Sequence, residues 1–298
     1  MLDIHAHIQF PDFAPDRDEV IARARAAGVE QMIVVGTDLG TSRAAIALSE
    51  RYAFLYSSVG VHPHEFGESR GASHEGRNEM RELREMARHP KVVAVGECGL
   101  DYFVRREQPT DNGQQSVVSD EQKLIQKEGF LAQLEIAREL GFPMIIHTRP
   151  SAGTMDAYED VFSVLSDSKI VNRDSKFVLH CYQGDTGITR KFLSLPDVYF
   201  SFAGNVTYPV KKALSGTKDD ILETVKLVPT ERLFVETDCP YLAPQAHRGM
   251  RNEPAYVALT AAKVAETLGI GTDDLSRATA HSFRNIFPGA RRESDMIV

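Results

Sequence analysis

Cysteine, long apolar runs and a basic leader are all scarce or missing in this sequence. Only 3 of its 298 residues are cysteine, so we expect no disulfide framework and a reducing, cytoplasmic setting. No stretch approaches the ~18 consecutive apolar residues that a membrane helix needs. The first residues show no basic and apolar secretory leader. We therefore expect a cytoplasmic protein with no membrane segment.

Positive charge is also in short supply. The chain carries 34 lysines and arginines against 42 aspartates and glutamates, a formal net charge of −8. Proteins that bind nucleic acid through a broad basic face are usually basic, so this sequence does not belong to that class. A polyanionic substrate would have to be held locally, by bound metal and a few arginines.

The order of apolar segments predicts the fold. No repeat, low-complexity tract or linker divides the chain, so residues 1–298 are predicted to form one domain. Short β-rich runs alternate with amphipathic helical stretches, and a further helix is predicted near the C-terminus. Eight such units in this length indicate a single (β/α)8 TIM barrel, which typically needs ~250 residues. The alternative, a doubly wound parallel sheet, would place a glycine-rich phosphate loop after the first strand, and none follows it. The predicted strands are Asp3–His7, Gln31–Gly36, Phe54–Val61, Lys91–Glu97, Pro143–His147, Lys176–His180, Val198–Phe202 and Arg232–Asp238.

Two further segments are predicted from their composition. Residues Val104–Ser119 are polar and rich in turn formers, so we expect an enlarged loop after the fourth strand, either a lid or a disordered excursion. Asn252 precedes Glu-Pro, and that order favours a helix N-cap there.

Histidines and carboxylates mark the ends of the predicted strands. His5 and His7 are two residues apart on one strand, so both side chains should project to the same face. The carboxyl ends of barrel strands converge on the face where active sites lie. Imidazole and carboxylate are common metal ligands, so ligand types ending five separate strands predict a metal centre. The strand-end residues are His5, His7, His62, His64, Glu97, His147, His180 and Asp238.

The number of ligands predicts two divalent ions, with Glu97 bridging them. The first set is His5, His7, Glu97 and Asp238, and the second is Glu97, His147 and His180. Two ions ~3.5–4 Å apart can share a hydroxide that attacks a phosphoryl or carbonyl group, and Asp238 could accept its proton. This mixture of ligands suits Zn²⁺, Mn²⁺ or Fe, and Mg²⁺ less well.

Cysteine and arginine residues adjoin the predicted ligands. Cys98, Cys181 and Cys239 each directly follow a ligand, so they should point toward the helix layer as small buried residues, with thiolate ligation as the alternative. Arg149 shares a face with His147 and could bind a substrate phosphate. Arg248 and Arg251 could do the same, or could form surface salt bridges.

These segments together resemble the TatD-type metal-dependent deoxyribonucleases of the amidohydrolase superfamily. The resemblance covers nearly the whole chain. Its motifs are Asp3–His7 (DIHAH), Gly60–His64 (GVHPH), Gly96–Tyr102 (GECGLDY), His147–Arg149 (HTR), His180–Cys181, Ser201–Gly204 (SFAG), Glu236–Pro244 (ETDCPYLAP) and Arg248–Pro254 (RGMRNEP).

The resemblance implies a (β/α)8 barrel, a divalent-metal centre holding Zn, Mg or Mn, and phosphodiester hydrolysis, commonly as a 3′–5′ exonuclease on DNA. It implies that His62 lies near the substrate phosphate, where His64, Arg149 and Arg248 are our further candidates for substrate contacts. The expected partner is DNA, single-stranded or at its 3′ ends, and we expect a monomer. The metal-ligand role is carried onto His5, His7, Glu97, His147, His180 and Asp238.

Two other functions remain open from the sequence. The same metals could hydrolyse a small-molecule ester, amide or lactone, or an aminoacyl-tRNA ester. Many binuclear relatives in the superfamily bridge their metals with a modified lysine, so Glu97 at the matching strand favours the phosphodiesterase branch. A non-catalytic metal-binding scaffold is the second alternative, and a complete ligand set argues against it.

Overall fold

Eight parallel strands and the helices between them form a barrel in the computed structural model. The structure describes residues 1–66, 74–104, 118–171, 174–209, 221–287 and 289. The strands pair in sequence order, and all pairings between them are parallel. The ends of the sheet meet where Asp238 N–H donates to the carbonyl of His5 (2.8 Å) and His7 N–H donates to the carbonyl of Cys239 (2.9 Å). The predicted TIM barrel is confirmed.

The alternation of elements follows the predicted order. The strands are β1 Leu2–Ala6, β2 Gln31–Val35, β3 Leu55–Val59, β4 Val92–Asp101, β5 Met144–Arg149, β6 Phe177–Leu179, β7 Val198–Phe202 and β8 Leu233–Val235. The α-helices of the described residues are α1 Arg17–Ala26, α2 Leu39–Arg51, α3 His74–Met86, α4 Asp120–Leu140, α5 Asp156–Ser166, α6 Thr186–Leu193, α7 Ile221–Leu227, α8 Val257–Leu268 and α9 Thr272–Ile286. None of the helices within this part of the chain is long and apolar enough to cross a bilayer.

Apolar side chains fill the end of the barrel where the strands begin. Strand residues such as Leu2, Ile33 and Ile145 form one buried cluster with Phe283 and Phe287. Phe283 lies on α9 and Phe287 directly follows it, so the predicted extra helix closes the end of the barrel where the strands begin. The polar strand ends lie at the opposite end, which we call the mouth.

Strand β4 is longer than predicted and reaches Asp101 rather than Glu97. Its pairing register with β5 shifts between Val95 and Cys98. Gly96 has a φ of +146°, a conformation that favours glycine. A Cβ atom on the neighbouring Gly60 would lie 2.4 Å from the carbonyl carbon of Gly96. These two glycines therefore let the backbone at Glu97 run close to the end of β3.

Two other local predictions differ from the structure. Strand β8 ends at Val235, so the segment from Glu236 to Asp238 is a connection with Asp238 in the left-handed region at φ +55°. Asn252 is not a helix N-cap. It is fully buried, and its amide donates to the carbonyls of Thr237 (2.8 Å) and Tyr241 (2.6 Å), so it holds the segment that carries Asp238. Of the predicted 104–119 loop, residues 105–117 lie outside the described residues.

Candidate metal centre

Glu97 lies at the middle of the mouth, with imidazoles on both sides of its carboxylate. Its Oε2 atom lies 3.3 Å from Nε2 of His5 and 3.6 Å from Nε2 of His7. Its Oε1 atom lies 2.8 Å from Nδ1 of His147 and 2.9 Å from Nε2 of His180. The two carboxylate oxygens therefore face two different pairs of histidines.

Asp238 joins the first pair of histidines. The two Nε2 atoms of His5 and His7 are 3.1 Å apart, as the spacing along β1 predicted for side chains that project together. Oδ1 of Asp238 lies 3.4 Å from Nε2 of His7 and 3.8 Å from Nε2 of His5. The left-handed backbone at Asp238 turns this carboxylate toward the pair.

Three of the histidines have a hydrogen-bond acceptor beside the ring nitrogen that faces away from Glu97, and this acceptor fixes the orientation of the ring. Nδ1 of His7 donates to the carbonyl of Val35 at 2.9 Å, because a carbonyl can only accept. Nδ1 of His180 lies 3.1 Å from Oε1 of Glu236, and Nε2 of His147 lies 3.1 Å from Oδ2 of Asp101. Such partners accept the one ring proton that a metal-bound imidazole keeps, which would leave its other nitrogen to the metal.

The donor atoms at Glu97 fit divalent cations. Nδ1 of His180 lies 3.1 Å from Oε1 of Glu236, and its Nε2 lies 2.9 Å from Oε1 of Glu97. Burial would lower the pKa of His180, but the carboxylates of Glu97 and Glu236 raise it well above its usual range. A cation held between Nε2 and Glu97 would take the place of the ring proton there. Ligand atoms converge in groups, within 4.8 Å of one another, at His5–Glu97–His180 and at His5–His7–Asp238. The predicted ligand residues are thus all brought together, while their binding of metal remains a prediction.

The charge on Glu97 follows from these neighbours. Burial alone would raise the pKa of the carboxyl, but the imidazoles of His180 and His5 and a hydrogen bond from His147 hold it well below its usual range. Glu97 is therefore an ionised carboxylate within a nearly closed polar cluster, with only 4 % of its surface exposed.

Asp101 forms a second hub beside the first. Its Oδ2 atom lies 3.1 Å from Nε2 of His147 and 3.1 Å from Nε2 of His64. Its Oδ1 atom accepts from Phe103 N–H at 2.9 Å. Burial would raise the pKa of Asp101, but hydrogen bonds from His147 and His64 outweigh it and lower the pKa. Asp101 therefore links a predicted metal ligand to a histidine that is 55 % exposed.

His62 lies between the two hubs. Its ring contacts those of His147 and His64, with centroids 4.4 and 4.9 Å away. Its Nδ1 accepts from the backbone N–H of His64 at 3.2 Å, which leaves the ring proton on Nε2. Burial and the neighbouring imidazole of His147 lower the pKa of His62 to about 3. His62 is therefore a neutral hydrogen-bond donor facing the centre.

The predicted arginines differ in how they are engaged. The guanidinium of exposed Arg149 stacks on Phe103 at 3.8 Å from the ring centre, and that of Arg248 stacks on Tyr208 at 4.1 Å. Arg251 instead makes two hydrogen bonds to the carboxylate of Asp16, at 2.6 and 2.8 Å. Arg149 and Arg248 thus keep their donor edges for a ligand better than Arg251 does.

The cysteines are not part of any cluster that the described residues form around a possible cation. Cys98 and Cys239 are fully buried in the layer between strands and helices, as expected. Cys181 differs, because its backbone is left-handed at φ +45° and its side chain is only partly buried.

Three carboxylates at the site were not predicted. Asp3 accepts from Thr237 N–H (3.0 Å) and Oγ1–H (2.6 Å) and so ties β1 to the segment before Asp238. Burial raises the pKa of Asp3 to about 7, against the hydrogen bonds from Thr237. Asp101 and Glu236 orient two imidazoles, as described above. All three belong to motifs that the sequence displays, but no spacing rule assigns them a partner on another strand.

A TIM barrel with histidines and carboxylates gathered at its mouth is the architecture of a metal-dependent hydrolase. Comparison with known proteins identifies the family of hydrolases. The family model described as "TatD related DNase" matches residues 2–288. The chain belongs to this family.

Curated relatives and solved structures agree with this assignment. The chain is 34 % identical over 287 residues to the "uncharacterized metal-dependent hydrolase YabD" of Bacillus subtilis, covering 96 % of this chain and 98 % of the relative. It is 34 % identical over 291 residues to the "3′-5′ ssDNA/RNA exonuclease TatD" of Enterobacter lignolyticus, with the same coverage. The crystal structure of the TatD homologue YjjV of Escherichia coli K12 superposes with a TM-score of 0.79 at 26 % identity, over 97 % of this chain and 98 % of that one.

Proposed function

We propose that this protein is a two-metal phosphodiesterase that removes nucleotides from the 3′ end of single-stranded DNA. The observation that supports it most is the division of the Glu97 carboxylate between two imidazole pairs, one on each oxygen. A carboxylate placed between two pairs of ligands would serve two cations at once. The exonuclease named TatD supports the choice of substrate class.

Each residue at the mouth would have a separate role in the reaction. When bound, two divalent ions would lower the pKa of a shared water to yield hydroxide near neutral pH and would neutralise charge on the phosphoryl group. Asp238 would accept the proton from the attacking water. His62 would donate its Nε2–H to a phosphate oxygen, and Arg149 would bind the phosphate through its guanidinium edge.

End-labelled substrates test this proposal. Metal-stripped protein is given Mg²⁺, Mn²⁺ or Zn²⁺ together with single-stranded DNA or RNA labelled at the 3′ or the 5′ end. We expect metal-dependent release of labelled mononucleotide from the 3′ end and a shortening ladder from 5′-labelled strands. Protein that rebinds two ions and cleaves no strand would instead support hydrolysis of a small-molecule or aminoacyl ester.

Replacement of Glu97 tests the bridge. Glu97→Ala should remove most activity and reduce the bound ions from two to at most one, because both pairs of histidines lose their shared ligand. Glu50→Ala is the matched control, since Glu50 pairs with His89 away from the mouth (3.2 Å). Near-normal hydrolysis by Glu97→Ala would contradict the two-metal scheme.

A further inference from the structure

Cleavage of a phosphodiester leaves a sugar oxygen that needs a proton. A sugar alkoxide is a strong base and a poor leaving group, and a positioned acid accelerates its departure typically ~10²–10⁴-fold. Asp238 takes up a proton in the proposed reaction and so does not supply this one. A separate proton donor at the mouth would complete the reaction.

We propose that His64 is the general acid that protonates the leaving sugar oxygen, with Asp101 as its positioning residue. This inference rests on the proposed phosphodiesterase function and assigns one more residue to it. His64 lies in a 3-10 helix, Pro63–Glu65, directly after the end of β3. Its side chain is 55 % exposed, so it can meet both substrate and solvent.

The contacts of His64 are those of an oriented acid. Nε2 donates to Oδ2 of Asp101 at 3.1 Å, which leaves Nδ1 as the nitrogen that delivers a proton. Asp101 is almost fully buried and is itself held by the N–H of Phe103 and by Gln126, whose Oε1 accepts from Asp101 N–H at 2.9 Å. A fixed carboxylate behind one ring nitrogen sets the orientation of the imidazole, so that the other nitrogen is aimed in a defined direction.

The position of His64 also fits the task. The rings of His62 and His64 are in edge contact, and Nε2 of His62 lies 3.7 Å from Oε1 of Glu97. His64 is thus one side chain farther from the centre than His62. A phosphate held at His62 would place its leaving oxygen on the side toward His64, away from the attacking water at Glu97.

Other polar groups near His64 are less suited to this role. Nδ1 of His62 accepts a backbone N–H, so it has no proton to give, and its Nε2 faces Glu97. The guanidinium of Arg149 serves to bind anions through its N–H donors rather than to transfer protons. Nε2–H of His147 is engaged with Asp101.

The proposed step balances in atoms and charge. The bond from hydroxide oxygen to phosphorus forms while the bond from phosphorus to the sugar oxygen breaks. The electron pair of that bond takes the proton from Nδ1 of the His64 imidazolium, giving a sugar hydroxyl and a neutral imidazole that still donates Nε2–H to Asp101. Solvent then returns a proton to His64.

A change of leaving atom tests the proposal. Oligonucleotides are prepared with either oxygen or sulfur at the bridging position that leaves, which is the 3′-oxygen if the released product carries a 5′-phosphate and the 5′-oxygen if the phosphate stays on the remaining strand. A thiolate is a far weaker base than an alkoxide and needs little help from an acid. We expect His64→Gln to slow cleavage of the oxygen linkage ~10²–10⁴-fold and to change cleavage of the sulfur linkage little.

A matched variant and metal binding serve as controls. His89→Gln removes another surface histidine that pairs with a glutamate, Glu50, and should leave both rates unchanged. His64→Gln should bind as many metal ions as the unaltered protein. Equal losses on both linkages, or no loss on either, would overturn the assignment of His64 as the acid. An unaltered protein that binds two ions and cleaves neither linkage would refute the proposed function itself.

Discussion

At the scale of single residues, the two imidazole pairs at Glu97 differ in the hydrogen-bond partners of their outer ring nitrogens. His147 and His180 each have a carboxylate behind the ring, Asp101 and Glu236. His7 has a neutral carbonyl there, and no hydrogen-bond partner for the buried Nδ1 of His5 occurs among the described residues. A carboxylate partner makes an imidazole a stronger ligand than a carbonyl does. Under the proposed two-metal scheme, an ion held by His147 and His180 would therefore depend on the outer carboxylates more than an ion held by His5 and His7.

Asp101→Asn tests this dependence. The amide cannot hold the Nε2 proton of His147 as firmly, so we expect the affinity for one of the two ions to fall ~10–100-fold and that for the other to stay unchanged. Calorimetric titration of metal-free protein measures both affinities. Asp18→Asn is the control, because Asp18 pairs with Arg51 on the surface (3.0 Å). An equal fall in both affinities would contradict a role confined to His147.

Local rules in the sequence predict the inner residues better than the outer ones. His5 and His7 could be paired because alternate residues of a strand share a face, and the structure brings their Nε2 atoms together. Asp101 and Glu236 could not be assigned, because their partners lie on other strands and depend on three-dimensional closure. Asn252 was assigned wrongly for the same reason: its position suits an N-cap, but the buried carbonyls of Thr237 and Tyr241 claim its amide.

At the scale of elements, α9 forms the floor of the barrel. Phe283 is completely buried in the cluster that includes Ile4 and Phe234. The sequence predicts this helix from its periodicity, with an apolar face that requires a partner. It does not reveal that the partner is the inside of the barrel, since helices α1–α8 have apolar faces too.

Phe283→Ala tests whether α9 closes the end of the barrel. We expect a loss of ~3–5 kcal/mol in the free energy of unfolding, because a large cavity opens where the structure can relax only partly. Urea denaturation followed by circular dichroism measures the loss. Arg284→Ala, at an exposed position of the same helix, should cost little. A cost for Phe283→Ala no larger than the control would mean that α9 does not close the barrel in solution.

The ends of two strands could not be predicted from the pattern of apolar residues alone. The apolar run of β4 predicts a strand up to Glu97, but the strand continues through Cys-Gly-Leu-Asp and ends at Asp101. The segment from Glu236 to Asp238 shows the opposite error, because its residues were predicted as strand and form a connection. Both errors occur at the mouth, where polar residues follow the apolar run and its pattern no longer predicts the end of the strand.

At the scale of the whole molecule, negative charge is concentrated at the mouth. Glu97, Asp101, Glu236 and Asp238 are all at least nine-tenths buried within this region. Cations would offset their mutual repulsion, so metal binding should stabilise the folded state. A ligand that binds only the folded form stabilises it by ~2.7 kcal/mol at a concentration 100 times its Kd.

Metal removal tests this linkage. Chelation should lower the melting temperature, and returned Zn²⁺ or Mn²⁺ should restore it in a concentration-dependent manner. Differential scanning calorimetry measures both changes. In Glu97→Ala the restoration should be much smaller, because the shared ligand is gone. A melting temperature that is the same with and without metal would contradict binding to the folded form at this site.

The opposite positions of the floor and the mouth also determine how the molecule could be attached to a surface. Leu2 on β1 and Phe287 after α9 belong to the same buried cluster, so both residues lie at the end of the barrel away from Glu97. A molecule tethered to a bead at that end would present its mouth outward. Single strands pulled past it in a flow cell could then be trimmed without the support obstructing them.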